Sequence, residues 1–524
     1  MRELVVHKIL CRTLTTHPKL EIVSGTMRYT YSAFYDRVLK LASSLKRLGV
    51  RKGTVVGVMD VNSHRYLELH YALSMLGAVI HTVNFRLPAE QVRFTIKHAK
   101  DEWLFILPSF REAVGKASES LPRFVWLSEA ASEQQKAEVH YEALVEEGDA
   151  DEVPEAEQVH EDDPFSIFYT TGTTGRPKGL LYRHRDMLLA SLQIFHHLAL
   201  HEGGARPTSR DVFMPLIPFF HIHGWGVPLF VPYLGAKIVL AGFATPEEQV
   251  SFIERERVSW MNMVPTQLHM LLEAAQSTNT RLCGLKVLTG GSALPTGLAR
   301  RARDMGVTCS LIYGGSDQLA TSVSVVPENL PQESDAAWEA LGARTRPLPM
   351  VEVELHDPDT KERLLPDGKT IGEVWVKSPW LPKGYMDDPE RTRETYVKGW
   401  FRSGDLGVFG PEGFLTILDR EKDAIKSGGE WIPSTVLEAV ISEHPDVALA
   451  AVVARPDERW GERPVAMVQC RKPVTEKDLR EFLIQKAMEG RIAKFWIPDR
   501  FVFVEKMPLT SAGKLDKALL RGDV

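Results

Sequence analysis

The alternation of short apolar runs with amphipathic ones near the start of this chain limits its fold more than any other feature. "GTVVGVMD" (53–60) reads as a buried strand, "HRYLELHYALSMLGA" (64–78) as a helix and "VIHTVN" (79–84) as a second strand. Strand, helix and strand in that order pair in parallel, because the helix carries the chain back to the end where it started. The fold class is therefore α/β, with doubly wound sheets covered by helices. The same grammar returns later: "RDMLLASLQIFHHLAL" (185–200) has helical spacing, and "AKIVLAG" (236–242) and "LKVLTGG" (285–291) are strands that run out into glycine turns. Open α/β sheets take their ligands at such strand ends.

From "VEVELHD" (351–357) through "GEVWVKS" (372–378) to "GFLTILDR" (413–420) the hydrophobic period shifts towards two, which predicts a small antiparallel or barrel-like subdomain. A break follows at "DREKD" (419–423). Beyond it, "STVLEAVISEH" and "EKDLREFLIQKAM" have helical spacing, while "VALAAVVAR", "VAMVQC" and "RFVFVEK" read as strands. Those elements suffice for a small α+β domain. A chain of 524 residues exceeds the size at which one core stops growing, so more than one domain is expected.

Composition removes several classes of function. The net charge of −6 gives no electrostatic footprint for nucleic acid. Cys11, Cys283, Cys309 and Cys470 lie far apart, so neither a disulfide framework nor a zinc knuckle is expected, and the compartment reads as reducing. The N-terminal residues lack a long apolar core and a small-residue cleavage site, which predicts a cytoplasmic protein. The stretch from Val212 to Leu234 is apolar enough to suggest a membrane span, yet it holds His221, His223 and four prolines. A buried strand followed by loop is expected there, and no integral membrane segment. Residues 146 to 163 carry ten acids with almost no apolar content, which predicts a solvated loop.

One short stretch points to chemistry. "YTTGTTGRPKG" (169–179) combines glycines, hydroxyls and one lysine, the ingredients of an anion cradle in which backbone N–H groups approach a phosphate and a mobile cation completes it. It is not a Walker loop, because Arg176 follows Gly175 and Gly179 follows Lys178.

Five motifs in order then resemble the acyl-adenylate-forming superfamily of acyl-CoA synthetases, adenylation domains and luciferases. The stretch above is similar to that superfamily's phosphate loop. "YGGSDQ" (313–318) resembles its Y-G-x-T-E motif, "WFRSGDLG" (400–407) its W-x-x-[ST]-G-D, "LDREKDAIKSGGEWI" (418–432) its hinge and glycine loop, and "PLTSAGK" (508–514) its terminal lysine motif. The resemblance covers nearly the whole chain. It implies an N-terminal adenylation domain over 1–419, a hinge at 420–423 and a mobile lid domain over 424–524.

The implied reaction uses ATP, Mg²⁺ and CoA. A carboxylate oxygen attacks the α-phosphorus of ATP, pyrophosphate leaves, and the acyl-adenylate passes its acyl group to the CoA thiol. Both first reactants are anions, so catalysis consists of positioning and charge neutralisation. By resemblance, Thr170, Thr171, Gly172, Thr173, Thr174, Gly175 and Lys178 hold phosphates. Tyr313 stacks on adenine, beside Gly291, Ser292, Gly314 and Ser316. Asp405 accepts the ribose hydroxyls, work suited to an acceptor-only carboxylate, and Arg420 contacts ribose or phosphate. Asp317 stands where the family has glutamate; with Thr170 it is the expected Mg²⁺ ligand, its reach one methylene shorter. Lys422 is the hinge residue, Lys514 bridges the acid and the α-phosphate, and Gly428 and Gly429 let the pantetheine arm pass.

"FFHIHGWG" (219–226) and "GGSALP" (290–295) are expected to line the acyl pocket, through His221, Trp225 and Gly290. The wording of "KSGGEWI" and "VNFRL" (83–87) is most similar to medium- and long-chain fatty acyl-CoA synthetases. No basic residue in the pocket stretches is placed for a second carboxylate, so a mostly apolar monocarboxylic acid is the expected substrate. The expected partners are that small acid and CoA, with a homodimer left open. Two other readings stand beside this one: a stand-alone ligase that passes the acyl group to a carrier protein, and a nucleotide-binding regulator without turnover.

Overall fold

A computed structural model describes residues 3–115, 122–128, 139–152, 159–170, 176–331, 334–508 and 515–522. Its first sheet has seven strands in the order Val139–His140, Arg123–Trp126, Trp103–Ile106, Val55–Met59, Val79–Thr82, Pro164–Thr170 and Lys178–Arg183. All neighbours are parallel except the last pair, a hairpin that sets Thr170 opposite Lys178. The expected βαβ unit is present: helix His64–Met75 connects Val55–Met59 to Val79–Thr82. Nearly every side chain of that helix is buried, because it packs against the sheet on one side and helix Tyr31–Arg47 on the other.

The second sheet has nine strands and is parallel from Thr308–Gly315 through Lys286–Gly290, Trp260–Met263, Val212–Pro215 and Lys237–Leu240 to Glu21–Ser24. Antiparallel strands close both of its edges. One apolar cluster runs from the first sheet into the second, joining Val56 and Phe105 to Phe213 and Trp260. Residues 352–420 form an antiparallel six-stranded sheet, and residues 425–503 contain a five-stranded sheet with its own core around Ile425, Leu437 and Val452. The period-two reading of 351–420 and the small α+β reading beyond it both hold.

The stretch from Val212 to Leu234 corrects the sequence reading. Its strand, Val212–Pro215, is present, but the expected loop contains a buried helix, Val227–Leu234. Pro228 sits in the first turn, where a missing N–H costs nothing. Pro232 lies inside the helix and deprives the Pro228 carbonyl of its donor, and the Tyr71 hydroxyl donates to that carbonyl instead, at 2.6 Å. Among the described residues, no helix is long and apolar enough to cross a membrane.

Candidate active site

Strands Thr308–Gly315 and Leu319–Val323 meet in a tight turn holding Ser316, Asp317 and Gln318. Two phenols pin its backbone: Tyr182 donates to the Ser316 carbonyl at 2.6 Å and Tyr396 to the Asp317 carbonyl at 2.7 Å. A third, Tyr385, donates to Asp317 Oδ1 at 2.6 Å. Lys178 Nζ lies 3.1 Å from the Tyr385 oxygen and 3.7 Å from Asp317 Oδ1. Thr170, Lys178 and Asp317 are thus gathered at one corner, with Tyr385 between lysine and carboxylate. Thr171, Gly172, Thr173, Thr174 and Gly175 lie outside the described residues.

This corner suits a hard cation. The Asp317 side chain keeps 23% of its surface exposed, which leaves its oxygens accessible. Among the described residues no cluster of three His, Cys, Asp or Glu side chains forms a complete cage. One carboxylate and a hydroxyl, completed by phosphate oxygens and water, is the donor set that Mg²⁺ prefers.

On the neighbouring antiparallel sheet, Asp405 and Arg420 are directly paired across strands Trp400–Phe409 and Leu415–Arg420. Asp405 is buried; its Oδ1 lies 3.1 Å from Arg420 Nε and its Oδ2 accepts from the Tyr313 hydroxyl at 2.7 Å. Burial first, and then the Asp405 charge, push the Tyr313 phenol well above its ordinary pKa, so it stays a donor. Asp405 is the leading cause that raises the Arg420 pKa. A carboxylate has about four lone-pair directions, so Asp405 can accept from sugar hydroxyls while both partners hold it. The residues expected to hold a nucleoside therefore touch one another. Gly291, Ser292 and Gly314 are exposed at the ends of the neighbouring strands.

The apolar side lies at the carboxyl end of strand Lys286–Gly290, the parallel neighbour of Thr308–Gly315. Gly290 pairs with Ile312, and a side chain there would put its Cβ 2.5 Å from the Ile312 carbonyl oxygen and 3.3 Å from Trp225 Cη2. Only glycine fits, and the tip of Trp225 rests against it. His221 is half-buried just before the turn that carries Trp225. His223 is fully buried, and both its nitrogens are engaged, with His70 and Ser166, so the pair His221/His223 is not a metal site.

Beyond Arg420, the main-chain carbonyl of Lys422 accepts from Arg521 at 3.0 Å, and Arg521 also pairs with Asp423 at 2.5 Å. Gly428 has φ +60°, and a Cβ there would lie 2.9 Å from Trp460 Cε3. A cleft of about 440 Å³ opens beside it, lined by Ser427, Gly428, Arg459, Trp460, Arg463 and Phe495. Gly429 is exposed next to it. Lys514 lies outside the described residues.

Sequence reasoning missed Tyr385 and Trp460. Tyr385 lies in "KGYMD", 207 positions from Lys178, and Trp460 in a turn between two strands; no local periodicity marks either.

Comparison with known proteins gives a consistent result. The AMP-binding enzyme family matches residues 11–386 and the AMP-binding enzyme C-terminal domain matches residues 436–514. The chain is 38% identical over 502 residues to a long-chain-fatty-acid–CoA ligase of Thermus thermophilus, covering 94% of this chain and 90% of the relative. It is 31% identical over 521 residues to a 2-methylpropanoate–CoA ligase of Humulus lupulus, covering 95% and 91%. Among solved structures, an anthranilate CoA ligase bound to anthranoyl-AMP superposes with a TM-score of 0.87 at 23% identity, over 99% of this chain and 97% of that one, a likeness of fold.

Proposed function

The chain belongs to the AMP-binding enzyme family and is an ATP-dependent acid–CoA ligase acting through an acyl-adenylate, and we propose that its acid is a mostly apolar monocarboxylic acid, of medium or long chain. The observation that carries this reading is the Trp225 indole packed at Gly290, which brings an uncharged aromatic ring to the segment assigned to the acid. The long-chain specificity named for the Thermus thermophilus relative supports it.

In the first half-reaction the acid's carboxylate oxygen attacks the α-phosphorus and pyrophosphate departs. Lys178, held by Tyr385 beside Asp317, neutralises phosphate charge together with the hydroxyls and glycines of 170–175. Magnesium, when bound, supplies further charge neutralisation, with Asp317 and Thr170 as its protein ligands. Tyr313, Asp405 and Arg420 fix the nucleoside, so that the α-phosphorus meets the acid in one geometry. His221 stands at the carboxylate end of the pocket, and Lys514 bridges the acid and the α-phosphate.

In the second half-reaction the domain at 424–524 rotates about 420–423, withdraws Lys514 and brings Gly428 and Gly429 to the thioester site. The thiol sulfur bonds to the acyl carbon and AMP leaves. The cleft beside Trp460 supports this assignment, since a pantetheine arm passing Gly428 needs open space there. Four unpaired cysteines suit a reducing compartment such as the cytoplasm.

The test is product analysis by mass spectrometry after incubating the enzyme with ATP, Mg²⁺, CoA and a mixed panel of short, medium, long, branched and aromatic acids. Medium- or long-chain acyl-CoA with AMP is the expected outcome. Preferential turnover of aromatic or short branched acids would overturn the substrate class, and adenylate without thioester would overturn CoA as the acceptor.

A further inference from the structure

Five consecutive residues next to the proposed acid pocket are left-handed. Ile222, His223, Gly224, Trp225 and Gly226 have φ of 50°, 45°, 56°, 57° and 81°. L-residues resist this conformation, and β-branched Ile222 resists it most, because Cβ crowds the neighbouring carbonyl. Such a turn persists only where its surroundings over-determine it. Part of the restraint falls on the turn's own carbonyls: the Asn262 side-chain amide donates from Nδ2 to the Gly224 carbonyl at 2.8 Å, and the Gly226 N–H donates to the His223 carbonyl at 3.0 Å.

His223 adds a restraint through its side chain. His223 is sealed from solvent between the rings of Phe165, Phe168 and His70. Its Nδ1 lies 2.7 Å from His70 Nε2, its Nε2 lies 2.8 Å from Ser166 Oγ, and His70 Nδ1 lies 2.6 Å from the Tyr66 carbonyl oxygen. That carbonyl fixes every proton in the chain. A carbonyl only accepts, so His70 carries its hydrogen on Nδ1 and offers a bare Nε2. His223 must therefore donate from Nδ1, which leaves its Nε2 to accept from the Ser166 hydroxyl. Burial favours the neutral form of both rings, in keeping with one hydrogen each.

We propose that His223 is a positioning residue for acid binding: the chain from Ser166 through His223 and His70 to Tyr66 locks the left-handed turn and so fixes Trp225 against Gly290, with His221 at its start. Ser166 belongs to the strand Pro164–Thr170, so the chain ties the turn to the first sheet. His223 itself touches no substrate. The inference rests on the assignment of Trp225 and Gly290 to the acid pocket.

The test compares wild type with His223→Leu, His223→Asn, Ser166→Ala and Trp225→Ala in acid-dependent ATP–pyrophosphate exchange, with Tm recorded for each. Leucine fills the space without hydrogen bonds, whereas asparagine keeps a donor towards His70. His223→Leu should raise KM for the acid about tenfold while KM for ATP and kcat stay within about twofold, the loss expected of buried hydrogen bonds that act on binding alone. His223→Asn should recover most of that loss, and the acid-length profile of His223→Leu should shift in the same sense as that of Trp225→Ala. If His223→Leu does not fold, the Ser166→Ala variant carries the same comparison with a smaller rise. Equal changes in KM for acid and ATP, or none, while Trp225→Ala alters the acid profile, would overturn the positioning role and leave the pocket assignment standing. A Trp225→Ala profile identical to wild type would overturn the pocket assignment and this inference with it.

Discussion

The hydroxyl of Tyr385 donates to Asp317 across 2.6 Å, and the same oxygen receives Lys178 at 3.1 Å. One phenol therefore holds the phosphate-side cation and the proposed metal-side carboxylate at a fixed separation. The short aspartate side chain is met by a phenol that reaches it. Hydrogen bonds to charged groups contribute roughly 1.5–3 kcal/mol. Tyr385→Phe is accordingly expected to slow ATP–pyrophosphate exchange about tenfold and to raise the Mg²⁺ concentration needed for half-maximal rate, with KM for the acid little changed. Exchange kinetics across a Mg²⁺ titration check this, and wild-type behaviour of the phenylalanine variant would return Tyr385 to a purely structural place.

Gly428 offers a test that separates the two half-reactions. Its φ is +60°, and a side chain there would put its Cβ 2.9 Å from the Trp460 ring, so Gly428→Ala strains the backbone and crowds the indole. Because this glycine lies in the loop assigned to thiol access, adenylate formation should survive while overall acyl-CoA synthesis falls by at least about tenfold, the effect of roughly 1.4 kcal/mol on the second barrier. Parallel assays of pyrophosphate exchange and thioester yield decide the matter. A matched fall in both would move Gly428 out of the thioester step.

The large-scale order of the fold was legible because period alone carries it: buried strands, amphipathic helices and the later shift to period two each leave a local trace. The helix Val227–Leu234 was not legible, since Pro228 and Pro232 read as breakers and the donor that rescues the orphaned carbonyl, Tyr71, lies 157 positions away. Tyr313, Asp405 and Arg420, the residues proposed to hold the nucleoside, were each visible through motif resemblance, and the contact among them adds geometry to those separate assignments. Tyr385 and the lock on His223 were invisible for one shared reason: their partners sit 68 and 153 positions away, and only folding brings them together.

The role proposed for Lys514 divides the reaction in the opposite sense from that proposed for Gly428. A lysine that bridges the acid and the α-phosphate acts on the first barrier alone, where an ammonium in a water-poor site is worth several kcal/mol. Lys514→Ala should therefore lower acid-dependent pyrophosphate exchange by roughly a hundredfold or more, while thioester formation from supplied acyl-adenylate and CoA continues near the wild-type rate. Undiminished adenylate formation in the variant would remove Lys514 from the first half-reaction.

Acid should weaken the fold before it reaches the carboxylates. His7 and His184 are buried and neutral, and burial lowers their pKa values from 6.5 to about 4 and about 3. Below pH 6.5 the unfolded chain takes up protons that the folded chain refuses, so stability falls as pH drops from 6.5 towards 4. Each of these rings contributes on the order of 3 kcal/mol across that window. Glu256 is shifted in the same direction but by the opposite cause, stabilisation of its charged form: its pKa is lowered to about 2, its carboxylate receiving hydrogen bonds from Lys237, Arg28 and Arg255, so the stability it contributes is present above 4.5 and is lost only as pH falls towards 2. Urea unfolding at pH 7.5, 6.5, 5.5 and 5.0 should therefore show a decline that begins near 6.5, where carboxylates do not yet titrate. His7→Asn should make that decline shallower, because asparagine can still meet Ser74 but binds no proton. A flat profile between pH 7.5 and 5.0, or an unchanged slope in the variant, would mean that these imidazoles are not the groups whose burial sets the acid limit.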